Sequence, residues 1–194
     1  MKLRRTDLPG VMIVEPTAFS DDRGWFMESF NEARWRSALA EMGQAIPERF
    51  VQDNHSCSQA GVLRGLHYQL PPHAQGKLVR VVQGAAFDVA VDIRRGSPTF
   101  GQWSGHRLDA VNRLQLWIPE GFAHGFVALT DDTHFLYKTT DVYSRECERS
   151  IRWNDPALAI RWPDLGLALK LAPKDEAASL LADADLPPWP NTAP

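Results

Sequence analysis

Between Gly61 and Lys77 the chain gathers residues that could take a proton from carbon and steady the charge left behind. The stretch runs Gly61-Val62-Leu63-Arg64-Gly65-Leu66-His67-Tyr68-Gln69, turns at Pro71-Pro72, and continues through Ala74-Gln75-Gly76-Lys77. As a strand it sets Leu63, Gly65, His67 and Gln69 on one face and Val62, Arg64, Leu66 and Tyr68 on the other. His67 has the side chain suited to general acid–base work near neutral pH. Lys77 follows a glycine that lets backbone pass close to a ligand. Taken alone, a strand histidine is more often a hydrogen-bonded structural residue, and a single lysine a solvated one. Tyr137, on a strand face with Phe135 and Thr139, fits a buried phenol. Asp175, next to Lys174, fits the first turn of a helix. Position has to separate these roles from chemistry.

The elements that would do the positioning are mostly strands. Val11-Met12-Ile13-Val14 and Gly24 to Phe30 are apolar and aromatic, with Asp21-Asp22-Arg23-Gly24 as the turn between them. Asn31 is a plausible N-cap for a helix over Glu32 to Met42, where Trp35, Leu39 and Met42 fall at i, i+4 and i+7 and Gly43 ends it. From Phe50 to Tyr143, short strands alternate with Gly, Pro, Asn and Asp; Phe87, Val89, Val91 and Ile93 oppose Ala86, Asp88, Ala90 and Asp92. This spacing predicts an all-β sandwich or jelly roll. A short helix is expected over Asp175 to Asp183, and Pro187-Pro188-Trp189-Pro190 reads as a tail whose order the sequence leaves open. With no repeat or linker, one domain over residues 1–194 is expected, its core at about 8–181.

A net charge of −3 gives no general attraction for nucleic acid or anionic membrane, so an anionic ligand needs local cations. Asp7, Pro9 and Gly10 interrupt the basic start before any apolar h-region, and a cytosolic protein is expected. Cys57 and Cys147 are far apart without ligand spacing and read as free thiols. Neither a Gly-x-Gly-x-x-Gly fingerprint nor a P-loop occurs, so neither a nicotinamide cofactor nor nucleotide hydrolysis is suggested.

Gln52-Asp53-Asn54-His55-Ser56, the Gly61 to Gln69 block, Ala74 to Arg80, Asp88 to Arg94 and Gln115 to Phe126 follow one another in the order and spacing of the dTDP-4-dehydrorhamnose 3,5-epimerases. The resemblance runs from about Leu8 to about Leu181. It implies a cupin-type double-stranded β-helix, a jelly roll with a few short peripheral helices, in a homodimer that exchanges N-terminal strands. It also implies that His67 is the base, hydrogen-bonded to Asp175, that Tyr137 is the acid, and that Lys77 stabilises enolate charge. Positions matching the family's ligand contacts are Arg23, Glu28, Gln52, Asp53, Asn54, Arg64, Lys77, His124, Glu148 and Lys174. Tyr143 matches the aromatic that stacks on thymine, with Phe26 a second candidate.

Cupins often carry a metal on clustered histidines, but Gln69 stands where the second would follow His67, and His124 lacks the companions a site needs. No metal or other cofactor is expected. The implied reaction is inversion of C3 and C5 of dTDP-4-dehydro-6-deoxy-D-glucose to give dTDP-4-dehydro-L-rhamnose, supplying deoxysugar for cell-envelope polysaccharide. The rivals are a single-centre epimerase or ketoisomerase, a non-catalytic sugar-nucleotide-binding jelly roll, and a metal-dependent cupin oxygenase.

Overall fold

A computed structural model describes residues 1–189 of the chain. In chain order the strands are β1 (Lys2–Arg5), β2 (Met12–Glu15), β3 (Ala18–Asp21), β4 (Gly24–Met27), β5 (Gln52–Ser58), β6 (Leu63–Gln69), β7 (Lys77–Gln83), β8 (Ala85–Asp92) and β9 (Trp103–Asp109). They continue with β10 (Gln115–Ile118), β11 (Phe122–Ala128), β12 (Thr133–Thr139) and β13 (Glu148–Ser150); the helices are α1 (Glu32–Glu41) and α2 (Pro173–Glu176). One sheet has the order β1-β2-β10-β7-β12-β5, a second β13-β6-β11-β8-β9, and β3-β4 forms a separate hairpin. This is the expected jelly roll. Among the described residues no helix is long and apolar enough to cross a membrane.

Period-two alternation fills three apolar layers. Val79, Val81, Leu116, Ile118 and Phe135 of the first sheet meet Ala86, Ala90, Leu108, Phe122 and Phe126 of the second. The larger face of β8 turns outward: Val89 and Val91, with Leu66 and Tyr68, are covered by Ile151, Leu158, Leu181 and Leu186. The C-terminal stretch is therefore a working layer, burying a sheet face that alternation alone would leave exposed. On the opposite side, Trp35 and Leu39 of α1 cover Met12, Val14, Leu78 and Trp117. The helix begins where Asn31 Oδ1 accepts from the Arg34 amide at 3.1 Å, and Gly43 follows its end at φ +64°.

Two expectations need correction, the helix after Lys174 and the reach of the strand that begins at Gly24. The helix expected over Asp175 to Asp183 is instead α2 and a 3-10 turn at Leu181–Asp183. Between them Ser179 bridges to Ile151 and its carbonyl accepts from the Arg152 amide at 2.8 Å, a strand-like pairing that a continuous helix would forbid. The tail is tied down as far as Trp189: the Arg95 amide donates to Pro187 at 2.9 Å, the Trp189 amide to Arg95 at 2.8 Å, and the Arg94 guanidinium lies 4.1 Å from the Trp189 ring centroid. Pro190 lies outside the described residues. The strand expected to reach Phe30 stops at Met27, because the Ser29 carbonyl accepts from Gln115 Nε2 at 2.7 Å and Phe30 packs edge-on against Phe50. In the first sheet β1 pairs with β2, and β2 with β10, with Leu116 opposite Ile13. Of the N-terminal strands, only β3-β4 stands apart from both sheets.

Candidate active site

At one mouth of the barrel lies a cavity of about 550 Å³, a volume suited to a small organic ligand. Its walls come from both sheets. His67 and Arg64 enter from β6 and His124 from β11; Tyr137 enters from β12, Asn54 from β5 and Lys77 from the start of β7. Glu148 on β13 and Lys174 and Asp175 on α2 close one side.

Simple alternation places Arg64 and His67 on opposite faces, yet both line this cavity. The reason is a bulge: His67 pairs with His124 and Arg64 with Phe126, so β6 spends one more residue than β11 over that interval. The close approach needs glycine. A Cβ on Gly65, at φ +134°, would stand 2.5 Å from the Gly125 Cα.

His67 Nε2 lies 2.6 Å from Asp175 Oδ1, and the Gly65 amide donates to the other carboxylate oxygen at 3.4 Å. Asp175 is buried, its side chain 2% exposed, while that of His67 keeps 24% open to the cavity. Burial pushes the Asp175 pKa up, but the bond and charge of His67 outweigh it, and the net direction is down. An ionised Asp175 accepts the Nε2 proton and leaves His67 Nδ1 with its lone pair. The helical expectation for Asp175 also holds, since it sits in the first turn of α2.

The Lys77 ammonium donates to the His67 carbonyl at 3.2 Å, and burial brings its pKa down to about 8 against the opposing pull of Asp88 and Glu148. Beneath it, His124 Nε2 meets Asp88 Oδ2 at 2.8 Å, and burial lowers the His124 pKa. Tyr137 packs on Phe135 and borders the cavity; its pKa is raised by burial, so the phenol stays protonated at neutral pH.

Lys174 donates to Glu148 Oε1 at 2.8 Å and Tyr143 to Glu148 Oε2 at 3.0 Å. Burial pushes Glu148 up, but those two bonds prevail and its pKa falls. Tyr143 is 53% exposed, which leaves its ring open to stacking. Arg64, Lys77, Lys170 and Lys174 face this cavity against the carboxylates of Glu148 and Asp175, a local cationic excess on a chain of net charge −3.

Other expected contacts fall elsewhere. Gln52 borders an adjoining recess and donates to Asn54 Oδ1 at 2.9 Å. Asp53 points to the outer face of β5 and meets Lys138 at 2.7 Å, because β5 keeps strict alternation. Glu28 accepts from Asn31 Nδ2 at 3.0 Å and lies 3.2 Å from Arg34, engaged at the start of α1. Arg23 pairs with Asp21 on the hairpin, and Phe26 there is 71% exposed; neither reaches this chain's cavity. Sequence reading missed Lys170. Its only signal is structural: its amide donates to the Gly61 carbonyl at 2.8 Å, fixing it beside β6. Gln69 proves to be a brace, donating to the His73 and Val142 carbonyls and accepting from the Ser144 amide, which holds the loop carrying Tyr143.

Fold and site together define a jelly-roll acid–base enzyme whose cavity suits an anionic ligand. The family model described as dTDP-4-dehydrorhamnose 3,5-epimerase matches residues 5–183, and the chain belongs to that family. It is 56% identical over 185 residues to the dTDP-4-dehydrorhamnose 3,5-epimerase of Pseudomonas aeruginosa, covering 95% of this chain and 98% of the relative. RmlC of Legionella pneumophila, solved with dTDP-4-keto-L-rhamnose, superposes with a TM-score of 0.91 at 52% identity, covering 97% and 98% of the two chains. The 3'-monoepimerase ChmJ of Streptomyces bikiniensis, solved with dTDP-quinovose, gives 0.85 at 37% identity, covering 94% and 91%.

Proposed function

We propose that this protein inverts C3 and C5 of dTDP-4-dehydro-6-deoxy-D-glucose to give dTDP-4-dehydro-L-rhamnose, acting in the cytosol in deoxysugar supply. One observation carries the reading: His67 and Tyr137 line the same cavity from different sheets, with Lys77, on the strand next to that of Tyr137, donating to the His67 carbonyl. A sugar held there has a base on one side and an acid on the other. Carbons 3 and 5 flank the C4 ketone, so loss of either proton gives an enolate on the same oxygen, and one lysine serves both steps. His67 Nδ1 takes the proton, Asp175 stabilises the resulting imidazolium, and Tyr137 returns a proton from the opposite face. Arg64, Lys170 and Lys174 meet the diphosphate, and Tyr143 stacks on the base.

The exposed β3-β4 hairpin supports a homodimer in which Arg23 and Phe26 complete the partner's site; Glu28 stays with α1. The single-centre alternative is favoured by one finding, the likeness to a 3'-monoepimerase. Product analysis separates them. Purified protein given dTDP-4-dehydro-6-deoxy-D-glucose should yield the L-rhamno product by NMR, whereas a product inverted at one carbon supports the alternative. His67→Asn should lower the rate by about 10²–10⁴-fold with dTDP affinity little changed; wild-type turnover in that variant refutes the assignment.

A further inference from the structure

On the outer face of the six-stranded sheet, away from the inward-facing Asn54 and Tyr137, two histidines meet across neighbouring strands. His55 of β5 and His134 of β12 are diagonal neighbours in the register that pairs His55 with Leu136 and His134 with Cys57. His55 Nε2 and His134 Nδ1 stand 2.9 Å apart, their ring centroids 5.0 Å apart and the rings inclined by 55°. His55 is exposed and His134 half-buried, so nothing in the core depends on the contact.

We propose that His55 and His134 form a bidentate site for a divalent transition metal of square-planar or octahedral preference, Ni(II) or Cu(II). The separation carries the choice of metal. Two imidazole nitrogens bound at about 2.0–2.1 Å with a right angle between them lie about 2.9 Å apart, whereas a tetrahedral angle spreads them to about 3.3 Å. The pair therefore stands close to the edge that Ni(II) or Cu(II) needs, and tetrahedral zinc would require the two nitrogens to part by about 0.4 Å. In the free protein one ring nitrogen donates to the other. On binding, the donor ring moves its proton to its remaining nitrogen, both lone pairs turn to the metal, and a neutral pair releases no proton.

The scaffold is fixed before binding, because β12 is paired along its length with β5 on one side and β7 on the other. Among the described residues no group of three His, Cys, Asp or Glu side chains is placed to hold a metal, so the remaining positions belong to water. Binding would tie the edge strand β5 to β12. Since His55 also borders the mouth of the active-site cavity, the clip sits beside the catalytic entrance without using a catalytic group.

The test is calorimetric titration of tag-free protein with NiCl₂ in a non-coordinating buffer, in a Cys57→Ser background that removes the exposed thiol opposite His134. One equivalent should bind saturably and raise the melting temperature. His55→Ala and His134→Ala should each weaken binding about tenfold or more, since each leaves a single ligand, while His106→Ala, at a histidine on β9 of the other sheet, should bind as the background does. Absence of saturable binding, or binding that survives both single substitutions, overturns the site. Thermal melts without metal confirm that each surface variant is folded, and the outcome is independent of catalytic activity.

Discussion

At the scale of single residues the site depends on three protonation states held apart by their surroundings. Asp175 is kept ionised by His67, Tyr137 is kept protonated by burial, and Lys77 is brought down to about 8, chiefly by burial. If the Lys77 ammonium stabilises the enolate, kcat/KM falls as pH rises through about 8, and in Lys77→Met that limb disappears while the rate drops by about 10²-fold. Tyr137 does not supply the limb, because its pKa is raised. The same group bears on stability with a definite sign: between about 8 and the ordinary 10.5 the unfolded chain holds a proton that the folded one has released. Its contribution to stability therefore rises with pH across that window. A pH series of urea midpoints, wild type against Lys77→Met, reads the difference.

Tyr137 is tested by separating proton removal from proton return. In Tyr137→Phe the enolate still forms, because His67 and Lys77 remain, and His67 can hand a proton back to the face it left. Exchange with solvent should then outrun inversion, whereas the parent enzyme keeps the two rates closer. Equal losses in both would make the phenol a packing residue. His67 and Lys77 were legible because they sit in long runs resembling one family, and Asp175 because the Lys174-Asp175 pair matches the same family. Lys170 was not, because its place in the cavity comes from a backbone bond to Gly61 far away in sequence.

At the scale of elements, the β6–β11 crossing sets the geometry. Alternation read from sequence put Arg64 opposite His67; the bulge between them reverses that and turns both into the cavity. A bulge answers to the partner strand as well as to its own residues, so it stays hidden in one strand's pattern. Gly65→Ala should force the two backbones apart, with 2.5 Å available where a van der Waals contact needs more. We expect a loss of about 2 kcal/mol or more in urea denaturation, together with lower activity from a misplaced His67; a variant as stable and active as the parent would show that the crossing tolerates a side chain. The helix α1 was legible to within a residue, because Asn31, the spacing of Trp35 and Leu39, and Gly43 are local signals. The split of the segment after Asp175 was not, since it follows from pairing with Ile151 and Arg152.

At the scale of the whole molecule, β strands in alternation and frequent turns pointed to a jelly roll, while the cover supplied by residues 151 to 186 had no periodic signature of its own. The exposed hairpin carries Phe19, Trp25 and Phe26, each more than half exposed. If it serves a second subunit, Arg23→Ala mixed with His67→Asn should recover part of the activity that each variant lacks alone, because one hybrid site regains both residues. No gain on mixing would confine the hairpin to its own chain.

The proposed double inversion requires proton exchange at two carbons under one base. Incubation of the wild-type protein with dTDP-4-dehydro-6-deoxy-D-glucose in heavy water, followed by NMR, reads it directly. Deuterium should appear at both C3 and C5, each with inverted configuration; label at neither carbon, or at one alone, rules out double inversion.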